Sequence, residues 1–208
     1  MKVGIIDSGR GGKYIGELLQ QQFDVEIIRR EQFFFRSYSD MNMDDLILEC
    51  DAHLAYLKEN KVELVVIGCM TLSTNLVKYI ERNVDVPIVD MYSNLPELPQ
   101  DTLILGTTNT INSNKFDRYT TMPVPDISSS IEKGYTSLVT GLLRGYEMGN
   151  RRADLCSTIL LGCSHYSIVR KEFEEYYKGR TVIDPVDYLI EDFKEEYEVV
   201  INCGLVNV

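Results

Sequence analysis

Two short stretches of this chain carry groups that could do chemistry, and they are near copies. In Ile159-Leu160-Leu161-Gly162-Cys163-Ser164-His165-Tyr166 an apolar run stops at a glycine, and a thiol, a hydroxyl and an imidazole follow at once. In Val65-Val66-Ile67-Gly68-Cys69-Met70-Thr71 the same order returns, with a thiol and then a hydroxyl past the glycine. Apolar, β-branched runs of this length read as buried strands, so both thiols sit just past a strand end. Two thiols in equivalent places, one in each half of the chain, suggest a site between two related lobes.

Thiols facing each other across a cleft can invert a carbon centre. One, as thiolate, takes a proton from carbon. The other, as thiol, returns a proton to the opposite face, and no cofactor is needed. The obstacle is the weak acidity of an amino-acid α-proton, so the site must stabilise the developing carbanion and exclude water. The thiols also need tuning from a free pKa of about 8.5. Asp7 is a candidate assistant to Cys69, and His165, two residues past Cys163, a candidate assistant to Cys163. Ser8, Thr71, Thr107, Thr110 and Ser164 are suitable donors to a carboxylate. Three rival readings fit parts of this set. A cysteine hydrolase would use Cys163 as nucleophile and His165 as base, leaving Cys69 and Asp7 idle. A zinc site of Cys69, Cys163 and His165 lacks a close ligand pair such as C-x-x-C, and no metal is assigned. Buried structural cysteines would explain each thiol singly, but not the matched pair with Asp7 and His165.

These residues need strands to carry them. Residues 2–7 read as a short buried strand that ends in Asp7-Ser8-Gly9-Arg10-Gly11-Gly12, followed by a helix over 14–22. The glycine spacing is G-x-G-G rather than the dinucleotide G-x-G-x-x-G. Further strands are read at 25–28, 64–67, 87–90, 102–105, 158–161, 181–183 and 199–202. Helices are read at 44–60, 74–82, near 111, over 130–148, 168–177 and 188–197. Residues 31–40 read as an aromatic loop with Phe33, Phe34, Phe35 and Tyr38. Cys50 and His53 lie one turn apart and read as a buried cysteine and a boundary histidine rather than metal ligands. Alternation of strands with helices predicts an α/β fold with parallel sheets, and ligands in such folds bind beyond the carboxyl ends of the strands. Pro96 and Pro99 mark the expected linker. The predicted division is an N-terminal lobe over residues 1–94 and a second lobe over 95–186.

Composition bounds the partners. The 208 residues carry 21 Lys+Arg against 32 Asp+Glu, a net charge of −11, which disfavours nucleic acid as a general partner. Five cysteines, an odd number in a chain of this size, argue against a disulfide framework. No leader pattern is read at the N-terminus, and no apolar run approaches the roughly 20 residues of a membrane helix. The expectation is a cytoplasmic protein with reduced thiols that meets neither nucleic acid nor membrane.

The motifs together resemble the aspartate/glutamate racemase superfamily, and glutamate racemases most closely. Asp7-Ser8-Gly9-Arg10-Gly11-Gly12 is similar to the family's D-S-G-x-G-G. Gly68-Cys69-Met70-Thr71 resembles its C-N-T, Gly106-Thr107-Thr108-Asn109-Thr110 its G-T-x-x-T, and Gly162-Cys163-Ser164-His165-Tyr166 its G-C-T-H-Y. Val124-Pro125 with Ile131-Glu132-Lys133-Gly134 resembles its C-P…[VI]-E-x-G. The resemblance implies two pseudo-symmetric lobes with the site in the cleft between them, residues 187–208 returning to the first lobe, and a homodimer as the assembly to look for. It implies a cofactor-independent racemase acting on a small amino-acid substrate, with Cys69 and Cys163 as the acid/base pair and Asp7, His165 and Glu132 in support. Ser8, Tyr38, Ser39, Met70, Thr71, Thr107, Thr110 and Ser164 fall at its substrate-holding positions. Departures are Met70 where the family has Asn, Ser39 where it has Gly, and Ser167 where it has Pro. A thioether cannot donate a hydrogen bond, so Met70 removes one substrate contact. Glutamate is the expected substrate. Aspartate or another amino acid is the first alternative, and a non-catalytic relative that binds a metabolite or a protein partner is the second.

Overall fold

The computed structural model of the protein describes residues 1–31, 37–150 and 152–202. Phe33, Phe34 and Phe35 of the predicted aromatic loop, and Cys203, lie outside the described residues. The described residues form two four-stranded sheets, and every strand pair among them is parallel. The first contains β1 (Lys2–Ile6), β2 (Glu26–Arg29), β3 (Leu64–Ile67) and β4 (Ile88–Asp90), in the order β2-β1-β3-β4. The second contains β5 (Thr102–Gly106), β6 (Thr120–Pro123), β7 (Thr158–Gly162) and β8 (Thr181–Ile183), in the order β6-β5-β7-β8. The two orders are the same, so β1 corresponds to β5 and β3 to β7. Each sheet reverses its chain order between its two central strands. That switch point is where adjacent loops diverge and leave a crevice.

The central strands explain themselves. β3 and β7 carry unbroken apolar runs and are buried along their whole length, as strands covered on both faces must be. Edge strands are shorter or more polar, and β6 tolerates Pro123 because it has a partner on one side only.

Helices cover both sheets. α1 (Arg10–Gln22) and α2 (Met43–Glu59) belong with the first sheet, and Asn42 caps α2 by accepting from the Asp45 N–H at 2.9 Å. Residues 130–148, read as one helix, are instead divided between α6 (Pro125–Glu132) and α7 (Val139–Glu147). Gly134, at φ +82°, ends α6 in a conformation that suits glycine. The stretch 199–202, read as a strand, is the last turn of α10 (Pro185–Asn202). Its β-branched residues look strand-like, but Leu189, Phe193 and Val200 fall on one helical face and are buried. Tertiary burial overrides local propensity there.

That face of α10 joins a core cluster holding Val3, Ile5, Ile15 and Leu19 from the first lobe and Ile104 and Leu160 from the second. Phe23 meets Phe193 edge-on with ring centroids 5.0 Å apart. Burying each such side chain stabilises by about 1.5–3 kcal/mol, so this shared cluster holds the two sheets in one relation.

Candidate active site

Both thiols occupy the same structural position. Cys69 follows β3 and is the N-cap of α3 (Met70–Asn75), and α4 (Val77–Glu81) follows after a break at Leu76. Cys163 follows β7 and is the N-cap of α8 (Ser164–Ile168), and α9 (Arg170–Tyr176) follows after a break at Val169. The helices read at 74–82 and 168–177 therefore begin earlier than periodicity suggests, right at the thiols, and each bends one to two turns on. Glycine is required twice where backbones crowd. A Cβ on Gly162 would stand 2.6 Å from the Leu105 carbonyl oxygen. A Cβ on Gly11 would stand 2.1 Å from Ser164 Oγ, so glycine there lets α1 press against the Cys163 loop of the other lobe.

One narrow cavity of about 20 Å³ lies between the lobes, and Cys69 and Cys163 both line it. So do Asp7, Ser8, Tyr38, Ser39, Met70, Thr71, Thr107, Thr110, Ser164 and His165. Glu132 stands behind His165. A volume of this size holds about one water.

The charged groups form a chain through the cavity wall. Cys163 Sγ is 3.7 Å from His165 Nδ1, and His165 Nε2 is 2.7 Å from Glu132 Oε2. Burial works against an imidazolium here, but Cys163 and Glu132 on either side of the ring outweigh it, and the His165 pKa is raised to about 10. A protonated ring donates from both nitrogens, so it points one N–H at the sulfur and the other at the carboxylate. Glu132 is opposed by burial as well, yet its bonds from His165 and from the Arg10 N–H, at 2.8 Å, hold its carboxyl below the usual range.

The Cys69 side is different. Burial first, and then the neighbouring Asp7, push its thiol well above the ordinary range. Burial also raises Asp7, against the favourable charge of His165. Asp7 accepts from the Gly9 N–H at 2.8 Å and from Ser164 Oγ, across the lobes, at 2.9 Å.

Three hydroxyls meet in the lining. Thr71, Thr107 and Thr110 Oγ1 atoms are each 3.0 Å from the other two, with Thr71 from α3, Thr107 from the N-cap of α5 (Thr108–Ile111) and Thr110 from α5 itself. Tyr38 lines the cavity, but its hydroxyl bonds His53 Nε2 at 2.8 Å. Ser39 Oγ accepts from the Thr108 N–H at 3.3 Å. Met70 is buried in the shared core cluster as well as facing the cavity. His53, read as a boundary residue, is instead fully buried where its ring meets Tyr38, and its pKa is lowered to about 4 by burial and by Arg30 and Arg29. Among the described residues no three His, Cys, Asp or Glu side chains are grouped as a metal would require.

Sequence reasoning missed the residues that join the lobes. Arg10 donates its Nη1 to the Ile131 carbonyl at 3.0 Å, besides the backbone bond to Glu132. Asn109 Nδ2 donates to the carbonyls of Tyr38, at 2.7 Å, and Met41, at 2.8 Å. Ser37 and Ser128 also line the cavity. Nothing in the types or spacing of Ser37 and Ser128 marks them, whereas Arg10 and Asn109 sit inside two of the motifs and were read only as spacers.

No family model matches the chain. Among curated proteins, a glutamate racemase of Helicobacter pylori (strain G27) is 26% identical over 212 residues, 91% of this chain and 82% of that protein. A glutamate racemase of Aquifex pyrophilus is 24% identical over 208 residues, covering 91% and 80%. The crystal structure of glutamate racemase from Thermus thermophilus, in complex with β-chloro-D-alanine, superposes with a TM-score of 0.80 at 18% identity, covering 99% of this chain and 82% of that one. Two like sheets over a shared cavity, with these relatives, make the protein an isomerase of the amino-acid racemase class. The chain is similar to glutamate racemases over about nine tenths of its length.

Proposed function

We propose that the protein is a cofactor-independent glutamate racemase that works by two-base proton transfer between Cys69 and Cys163. The observation that carries this reading is that a thiol from each lobe lines one narrow cavity, each at the N-cap after an equivalent strand. In one direction the Cys163 thiolate takes the α-proton and becomes a thiol, leaving the electron pair on the α-carbon. The Cys69 thiol then gives its proton to the opposite face of that carbon and becomes a thiolate. The product is the enantiomer, and the exchanged protonation of the two thiols suits the reverse reaction.

The surroundings favour this starting state. The imidazolium of His165 directs an N–H at the Cys163 sulfur. Burial and Asp7 keep Cys69 protonated. Glu132 holds the His165 ring in place and is a positioning residue. The hydroxyls of Thr71, Thr107 and Thr110 bond one another and can turn toward a carboxylate. Ser8 and Ser164 also line the cavity and are assigned to the amine and the second carboxylate. A substrate with two carboxylates suits a lining rich in hydroxyl donors, which favours glutamate or aspartate over apolar amino acids.

A non-catalytic binding role has one observation in its favour, the buried thioether of Met70 among the lining groups. Incubation in heavy water with L- and D-amino acids, followed by NMR of the α-proton, separates the two. A racemase exchanges that proton in glutamate from both enantiomers. If no amino acid in the panel exchanges, the enzyme reading fails.

A further inference from the structure

A second cavity opens beside the site, and its lining carries an opposite sign to the protein as a whole. Its volume is about 280 Å³, against about 20 Å³ for the site cavity, and Asp7 and Ser8 line both. Arg10, Lys13, Arg29 and Arg30 surround it, with Glu31 and Glu132 as the further acids. The chain carries a net charge of −11, so an approaching anion meets repulsion over most of the surface.

We propose that this cavity is the cationic vestibule through which a dicarboxylate reaches the site, with Arg10, Lys13, Arg29 and Arg30 as its steering residues. The proposal rests on the racemase reading only for the identity of the substrate. The hydrogen bonds of two guanidiniums leave their charge in place, because Arg10 Nη1 bonds the Ile131 carbonyl and Arg29 Nη1 the Gly9 carbonyl at 2.7 Å. The Arg29 bond fixes that cation against the loop that carries Asp7 and Ser8, and the Arg10 bond ties its guanidinium to the end of α6. Arg30 pairs with Glu49 at 3.2 Å, and Lys13 pairs with Glu17 at 3.9 Å on an open helix face, where water competes and the pair is weak. Of the acids, Glu132 is engaged by His165 and the Arg10 N–H, and Asp7 by the Gly9 N–H and Ser164 Oγ. Glu31 is the remaining counter-charge. A concave cationic lining focuses the field and raises the local concentration of anions, and salt screens this over about 10 Å at 0.1 M.

The test is equilibrium binding of glutarate, a dicarboxylate with no α-amine and nothing to racemise, followed by calorimetry in about 10 mM and about 300 mM salt. Lys13→Glu and Arg30→Glu should each weaken binding by about three- to tenfold at low salt and by less than about twofold at high salt. Glu31→Lys should tighten it. Lys178→Glu makes the same change in net charge at the amino end of β8, away from the strand ends that carry the site, and should leave binding as it is. Equal effects of Lys13→Glu and Lys178→Glu, or salt-independent binding by the wild type, would overturn the vestibule. The two readings fail separately. Charge-dependent glutarate binding without α-proton exchange on any amino acid removes the racemase and keeps the vestibule. Exchange on glutamate whose kcat/KM ignores salt and Lys13→Glu does the reverse.

Discussion

The Cys69 and Cys163 loops leave equivalent strands of equivalent sheets, and each thiol caps a short helix that breaks about two turns on. Their surroundings are nonetheless unlike. Behind Cys163 stand an imidazolium and a carboxylate, in contact with one another. Beside Cys69 stands a carboxyl group that burial penalises. One sulfur has a cationic ring against it, and the other thiol is pushed up by burial and Asp7. A symmetric scaffold thus gives its two thiols unlike neighbours, as the proposed relay with one donor and one acceptor needs.

The largest effects should come from removing either thiol. Cys69→Ser and Cys163→Ser should each lower racemisation of glutamate by about 10³-fold, within the range for loss of a positioned acid or base. Circular dichroism of the product checks the rate, and NMR in heavy water checks each enantiomer. A large loss with only one of the two would break the paired reading and leave a one-thiol enzyme. His165→Asn should follow, with a loss of about 10²-fold, because the thiol remains and only its support is removed.

The assisting groups should also differ in their effect on stability. His165 is raised to about 10 in the folded chain, against about 6.5 unfolded. Its contribution is fully present below about pH 6.5 and is lost as pH rises toward 10. Urea melts of wild type and His165→Asn should therefore differ most near pH 6 and converge near pH 10. Asp7 has the opposite sign at neutral pH. Its folded pKa is raised, so ionisation costs stability as pH climbs from the ordinary carboxyl range through the folded value. Asp7→Asn should raise stability at pH 7 by about 1 kcal/mol while impairing turnover, the usual exchange at a functional site. A destabilised Asp7→Asn protein would show that its bonds from Gly9 and Ser164 outweigh its burial.

The smallest effect on chemistry is expected where the two halves touch. Gly11→Ala puts a methyl group against Ser164, so the lobes must shift. Denaturant titration should show a loss of about 1–3 kcal/mol, typical of overpacking. An unchanged midpoint would mean that the contact is looser than the distance implies.

Much of this was legible in the chain alone. Apolar runs ending in glycine marked β3 and β7, because strands buried on both faces must be continuously apolar. The residues just past those runs, Cys69, Thr71, Cys163, Ser164 and His165, all line the cavity, because loops beyond parallel strands converge by geometry. Boundaries were less legible. The start of α3 at Met70 and of α8 at Ser164 has no periodic signal, since short helices held by tertiary contact need none. The final turn of α10 reads as a strand until its burial against both lobes is known.

The sequence by itself determined the alternation of strands and helices, the two thiols at matched places and the excess of negative charge. These follow from residue types and near-neighbour spacing, which a linear chain displays. Only the tertiary structure decided that Glu132 meets His165, that Ser164 reaches Asp7 across the lobes, that Tyr38 turns its hydroxyl to His53, and that four cations gather beside the site. Each of those contacts joins residues well separated along the chain or placed on different elements. Their meeting depends on how packed elements close the distance, and no local pattern encodes it.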